Sequence, residues 1–255
     1  MLGETAEILA RDFQISREEQ DAYARQSHAR AIKASDDLNQ EVCPIFPGTG
    51  SRKLVERDNG MRTPDQLKKL GRLRPVFDPE TGTVTAGNAS QITDGAVALL
   101  VASKDAAQRL GLPVLGYLRD WQYSGCAPDR MGLGPVYAMN ELTDRIGISI
   151  DEIDLFEINE AFASQMLAVL KASESAEFAR KNLHRSQPLG AIPMEKLNLN
   201  GGAIALGHPV GATGSRLVLT ALQQLKQRGH ECAITSACIG GGQGAALYLE
   251  RNLKS

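Results

Sequence analysis

Residues 232–250, Cys232-Ala233-Ile234-Thr235-Ser236-Ala237-Cys238-Ile239-Gly240-Gly241-Gly242-Gln243-Gly244-Ala245-Ala246-Leu247-Tyr248-Leu249-Glu250, are two apolar runs on either side of a glycine-rich turn. Cys232–Ala237 and Ala245–Glu250 are predicted strands, and so tight a turn makes them antiparallel neighbours. Working back toward the N-terminus, Ala212–Arg228 reads as a helix, Glu160–Leu170 as a helix, Ile153–Ile158 as a strand, Val136–Ile146 as a helix and Val114–Trp121 as a strand. Strands alternating with helices predict an α/β fold with a mixed sheet and helices on both faces.

Before Pro113 the pattern is weaker. Ala96-Val97-Ala98-Leu99-Leu100-Val101 is a short apolar run of the kind expected in a strand buried on both faces, with a helical stretch following to Leu110. From Asn39 to Ala89 the chain has no clear period and is punctuated by Pro44, Pro47, Pro64, Pro75 and Pro79, which predicts a long irregular segment. Its cations, Arg52, Lys53, Lys68, Lys69, Arg72 and Arg74, form either an ordinary solvated face or a set of contacts for the phosphates of a nucleotide-bearing substrate. Ser16 and Glu19 make a capping box, with Ile15 where a hydrophobic staple begins, for a helix reaching about Ala34. The narrow apolar face of that helix (Ala22, Ala29, Ile32) predicts a peripheral, lightly packed element.

With 255 residues, 42% of them hydrophobic and 23% charged, the chain has the composition of an ordinary globular protein. A formal net charge of −2 gives no general electrostatic reason to expect nucleic acid. No apolar run approaches the roughly 20 residues that span a bilayer, so no membrane insertion is expected, and the N-terminal residues do not form a signal peptide. The expected compartment is cytoplasmic. Cys43, Cys126, Cys232 and Cys238 are spaced for neither a disulfide framework nor a zinc site.

Four segments carry chemistry. In Asn200-Gly201-Gly202-Ala203-Ile204-Ala205-Leu206-Gly207-His208-Pro209-Val210-Gly211-Ala212-Thr213-Gly214-Ser215-Arg216, a histidine stands just before a helix. His208 is either a proton-moving group near neutral pH or a structural histidine in a glycine-rich turn. The segment lacks the G-x-G-x-x-G spacing of a dinucleotide site. Cys238, at a strand end beside Gly240, Gly241 and Gly242, suits a proton donor or nucleophile next to an oxyanion site, or is a buried cysteine in a hairpin. Asn159, in Phe156-Glu157-Ile158-Asn159-Glu160-Ala161-Phe162-Ala163, falls at the carboxyl end of a strand, where ligands gather in α/β sheets, or serves as a helix N-cap. Thr85-Ala86-Gly87-Asn88-Ala89-Ser90, followed by Asp94-Gly95-Ala96, reads by itself as a polar turn.

Taken together and in order, these segments resemble the thiolase family over the whole chain. Met1–Glu7 is similar to the family's Met-Gly-x-Thr-Ala-Glu, Gly87–Ala96 to its Gly-Asn-x-Ser…Asp-Gly-Ala, and the blocks at Asn159, His208 and Cys238 to its three second-half catalytic motifs. The resemblance implies stacked βαβαβαββ halves with an inserted loop domain: residues 1–92 as the loop domain, 93–112 as a remnant of the first half, and 113–255 as the second half. It also implies that the nucleophilic cysteine belongs to a region outside this sequence, because Cys43, Cys126 and Cys232 do not match the family's Cys-Ser-Gly type of motif.

The implied activity is acyl transfer between coenzyme A thioesters, with coenzyme A as substrate and no tightly bound cofactor or metal. His208 would activate the nucleophile, Cys238 would protonate the departing carbanion, Asn159 with His208 would hold the enolate oxygen, and the Gly240 N–H would face the other oxyanion. Ser90 would lie along the pantetheine arm. Gln91 departs from the glycine common in the family. The long segment between Phe162 and Asn200 is closer to the thiolase subunit of the fatty-acid oxidation complex, which implies a degradative 3-ketoacyl-CoA enzyme and a place in a β-oxidation complex, while the family resemblance itself implies a homo-oligomer. The competing expectation is a non-catalytic coenzyme A- or partner-binding module. A hydrolase is disfavoured, since no Gly-x-Ser-x-Gly elbow is present.

Overall fold

A computed structural model describes residues 2–46, 48 and 53–253. Arg52 and Met1 therefore lie outside the described residues. The helices are α1 (Leu2–Asp12), α2 (Arg17–Lys33), α3 (Ser35–Asn39), α4 (Pro64–Leu67), α5 (Lys104–Arg109), α6 (Gly134–Ile146), α7 (Ala163–Glu174), α8 (Ala176–Phe178), α9 (Ala203–Leu206) and α10 (Val210–Arg228). The strands are β1 (Tyr117–Gly125), β2 (Leu155–Ile158), β3 (Cys232–Ile239) and β4 (Gln243–Glu250).

The four strands form one mixed sheet in the order β1-β4-β3-β2, with β2 parallel to β3 and the other pairs antiparallel. Side-chain alternation assigns the two faces. Leu155, Ala233 and Leu249 pack against Ala221, Leu222 and Leu225 of α10. Their sequence neighbours Phe156, Ile234 and Tyr248 point the other way, into a core with Val136, Met139 and Leu142 of α6 and Met166 and Val169 of α7. Both faces are thus covered by helices, as expected from the alternation of elements. The hairpin of β3 and β4 turns through Gly240–Gly242, with positive φ at Gly241 (93°) and Gly242 (95°), which explains a glycine at each. Beyond β2, residues 196–198 run alongside Phe156 in a parallel bridge, so the region expected to be an irregular insert extends the sheet's edge.

Two expectations are corrected, and one element was not anticipated. Ala96–Val101 is not a strand: residues 91–103 have no regular structure, and Leu100 and Val101 are 80% and 81% exposed. A run of that composition needs neighbouring strands on both sides, and none of the four described strands lies beside it. The helix from Arg17 has the expected Ser16/Glu19 capping box, but it is not peripheral. It buries Tyr23, Ala24 and Ala31 together with Gln20, Asp21, Ser27 and His28. Its inward face is largely polar, which hides it from any apolar count. Finally, α1 was not anticipated; its Glu7 is buried and accepts from the N–H groups of Thr83 (3.0 Å) and Val84 (2.8 Å), fastening the irregular segment to the body.

Candidate functional site

Asn159 follows the last residue of β2. Its N–H donates to the Ser236 carbonyl of β3 at 2.8 Å, and Cys238 stands two residues further along that strand. Adjacent strands lie about 4.8 Å apart, so Asn159 and Cys238 share the carboxyl-terminal edge of the parallel pair. Asn198 clamps the end of β2, accepting from the Ile158 N–H (2.8 Å) and donating to its carbonyl (2.9 Å). The N-cap reading of Asn159 fails, because α7 begins at Ala163 with Phe162 as its cap residue. Asn159 is fully buried and its Oδ1 has no protein partner. A buried amide oxygen in that state is poised to accept a hydrogen bond from a ligand or a water.

His208 reaches the same edge from the loop between α9 and α10. Gly207, at φ 95°, closes α9, and Pro209 caps α10, so the imidazole sits between two helices. Its Nε2 lies 3.4 Å from Asn159 Nδ2, and its Nδ1 lies 2.6 Å from the Thr213 hydroxyl, which also reaches the Pro209 carbonyl at 3.1 Å. Two proton arrangements fit the imidazole, and only the first also keeps the bond from Thr213 to the Pro209 carbonyl. In one, Nδ1–H donates to Thr213, Thr213 donates to Pro209, and Nε2 accepts from the Asn159 amide. In the other, Thr213 donates to Nδ1 and Nε2 carries the proton toward the site, with the Asn159 amide turned to present its oxygen. Burial, and then the positive charge of Arg216, lower the histidine's pKa, so it stays neutral at pH 7 and can both accept and deliver a proton.

Cys238 retains some exposure, yet burial of its sulfur pushes its pKa up to about 12, with a nearby Cys126 adding to the rise. At neutral pH it is a thiol, suited to giving a proton to carbon rather than to attacking as a thiolate. Its cross-strand partner Gly244 is pressed against the start of α6, where a side chain would collide with the Gly134 backbone. Gly240 is exposed in the hairpin turn directly after β3. Ser90 is half-buried and its N–H donates to the Ala161 carbonyl at 2.9 Å, placing it two residues from Asn159 in contact terms. The structure thus brings Asn159 and His208 into contact and sets Cys238, Gly240 and Ser90 around the same sheet edge.

Thr213 and Gln91 were not singled out as site residues by sequence. Gln91 accepts the His208 N–H on its main-chain oxygen (3.1 Å), while its side-chain amide donates to Gly60 (2.8 Å), Ile204 (3.0 Å) and Ala205 (3.2 Å). The signal for Gln91 was its departure from glycine; Thr213 was legible only as the residue five positions after a histidine in a helix start. Of the cations noted in the irregular segment, Lys68 pairs with Asp65 at 2.8 Å on the exposed surface. Among the described residues no group of three His, Cys, Asp or Glu is arranged to hold a metal, and no helix is long and apolar enough to cross a membrane.

Residues 112–251 match the family model described as thiolase, C-terminal domain, and residues 1–105 match thiolase, N-terminal domain. The chain belongs to the thiolase family. It is 44% identical over 252 residues to the 3-ketoacyl-CoA thiolase of Pseudoalteromonas translucida, covering 98% of this chain and 58% of that relative. It is equally 44% identical to the mitochondrial trifunctional enzyme subunit beta of Bos taurus, covering 52% of that protein. Human mitochondrial 3-ketoacyl-CoA thiolase superimposes with a TM-score of 0.86 at 41% identity, over 99% of this chain and 60% of the human one. A structure of that human thiolase in complex with CoA gives 0.85 at 40% identity, over 98% and 59% of the two chains. This thiolase chain therefore spans a little over half the length of the curated relatives it matches, and its fold is the α/β thiolase fold.

Proposed function

We propose that this chain supplies the second-half chemistry of a thiolase-type acyltransferase that cleaves a 3-ketoacyl-CoA with coenzyme A, giving acetyl-CoA and a shortened acyl-CoA, or runs the reverse condensation. The observation that carries the reading is the 3.4 Å contact between His208 and Asn159 at the sheet edge that also holds Cys238. The division into a loop domain (1–92), a first-half remnant (93–112) and a second half (113–255) belongs to the same proposal.

The nucleophilic thiol comes from a part of the longer relatives that this sequence does not span. Neutral His208 removes its proton, and the thiolate adds to the 3-keto carbonyl, whose oxyanion the Gly240 N–H faces. Collapse breaks the bond between C2 and C3 and leaves the electron pair on the thioester enolate. His208 Nε2–H and the Asn159 amide, directly or through water, hold the enolate oxygen. Cys238 gives its proton to C2, releasing acetyl-CoA, and regains one from the incoming coenzyme A thiol, whose thiolate takes the acyl group from the nucleophile. Ser90 lines the pantetheine arm. Coenzyme A enters as substrate and the chemistry calls for no further cofactor. A homo-oligomer, a β-oxidation complex and a cytoplasmic setting complete the proposal; one relative is itself named as the beta subunit of a trifunctional enzyme, which supports the complex.

The test joins this chain to the amino-terminal segment of a 3-ketoacyl-CoA thiolase relative and follows coenzyme A-dependent consumption of a 3-ketoacyl-CoA. Turnover that falls by about 10²-fold or more on His208→Ala and on Cys238→Ala is the expected result. Undiminished turnover in both variants would refute the assigned roles.

A further inference from the structure

Glu160, next in sequence to Asn159, is 1% exposed and receives four hydrogen bonds. Its Oε1 accepts from the Tyr23 hydroxyl (3.1 Å) and Asn198 Nδ2 (3.0 Å); its Oε2 accepts from the Ser27 hydroxyl (2.6 Å) and the Ile204 N–H (3.3 Å). Among the described residues no cation forms an ion pair with it. The donors come from α2, from the clamp on β2, and from α9, four residues before His208. The Ser27 oxygen in turn accepts from the Gly202 N–H at 3.2 Å. A side chain at Gly202 would collide with the Glu160 carboxyl, so the close approach requires glycine there.

We propose that Glu160 is a positioning residue: its buried carboxylate ties the strand end that carries Asn159 to the loop that carries His208, and so sets the separation of that pair. The proposal rests on the acyltransferase reading for its effect on catalysis, but its structural content does not. Two of the four neighbours can only donate, the Asn198 amide to Oε1 and the Ile204 N–H to Oε2, so each carboxyl oxygen is called on to accept. The phenol of Tyr23 remains a donor: burial, and then the negative charge of Glu160, hold its pKa well above the ordinary value. Glutamine, nearly identical in shape, would turn an N–H₂ toward one of these fixed donors, beside a hydroxyl that is free to rotate and accept. The most easily displaced of these is the N–H of Ile204, since its bond is the longest of the four. The loop would move away from Glu160, and His208 would move with it. A misplacement of about 1 Å in a catalytic group is able to cost about 10²-fold in rate.

Two measurements test this. First, a crystal structure of the Glu160→Gln chain is expected to show the His208 Nε2 to Asn159 Nδ2 separation lengthened from 3.4 Å and the Ile204 bond broken; an unchanged separation overturns the proposal whether or not the family chemistry operates. Second, in the joined enzyme, Glu160→Gln is expected to lower kcat by about 10²-fold with little change in KM for coenzyme A. Placed on Asn159→Ala, the same change should add less than about threefold, because the pair it positions is already broken. Loss of the full factor in both backgrounds marks a generally structural role and overturns the proposal. An inactive parent enzyme sinks the acyltransferase reading and leaves the crystallographic result to decide this one. Should Glu160→Gln fail to fold, Ser27→Ala removes one donor and keeps the charge; it should show the same lengthening and non-additivity on a smaller scale, and their absence counts against the proposal equally.

Discussion

The reactivity of Cys238 discriminates a proton donor from a nucleophile, and its magnitude follows from its surroundings. With a pKa pushed up to about 12 from an ordinary 9.0, the thiolate fraction at pH 8 is about 10⁻⁴, against roughly a tenth for an ordinary thiol, a difference of about a thousandfold. The intact folded chain would be treated with limiting iodoacetamide between pH 7 and 10, with circular dichroism confirming the fold at each pH, and alkylation read by peptide mass spectrometry. Exposed Cys43 in the same molecule reports the potency of the reagent. Alkylation of Cys238 should rise about tenfold per pH unit without levelling off by pH 10, since the thiolate fraction is still climbing. Restricted access slows the reaction by a constant factor and leaves that slope untouched. A plateau below pH 9 would mean the environment stabilises the thiolate, and the assignment of Cys238 as the acid that protonates carbon would be refuted.

Glu157, fully buried on β2, has its pKa pushed up to about 8 by burial, with Arg216 and the Gln224 amide (2.7 Å) opposing the rise. Below the ordinary carboxyl value of 4.5 both folded and unfolded chains hold the proton, and between there and about 8 only the folded chain does. Stability therefore declines as pH rises through that window, by at most about 5 kcal/mol from this group. Urea unfolding of Glu157→Gln beside the parent should show a shallower decline between pH 5 and 8, and parallel pH profiles would show the carboxyl is not the cause. Gly244→Ala drives a methyl into the Gly134 backbone and should lower stability by about 3 kcal/mol or more in chemical denaturation; a loss under about 1 kcal/mol would show that α6 yields easily there.

The sheet was legible because β3, β4 and α10 carry plain signals: apolar runs, a glycine turn, and an amphipathic helix placed between strands. Positions 159, 208 and 238 were legible as chemistry-bearing residues, but nothing in their local spacing shows that two of them touch; that follows from the register Ile158–Ser236 and from the loop that folds His208 back onto it. Ala96–Val101 misled because a strand's composition says nothing about whether its neighbours are there to pair with. Glu160 was passed over inside a quoted motif for a different reason. Its partners Tyr23 and Ser27 are more than 130 residues away in sequence, so its importance is a property of the tertiary structure alone.

The polar inner face of α2 has a consequence for how the molecule assembles. Gln20 bonds Thr83 (2.9 Å), Asp21 accepts from Asn88 (3.0 Å), and Arg30 donates to the carbonyls of Met194 and Leu197 (2.6 Å each). With Tyr23, Ala24 and Ala31 as its buried apolar residues against four polar ones, α2 gains little from early collapse, and the loops that deliver its partners are long and entropically slow to close. It is expected to dock last, as a key enters a finished lock, and an excised peptide of residues 1–92 should hold no fixed shape, which circular dichroism would check.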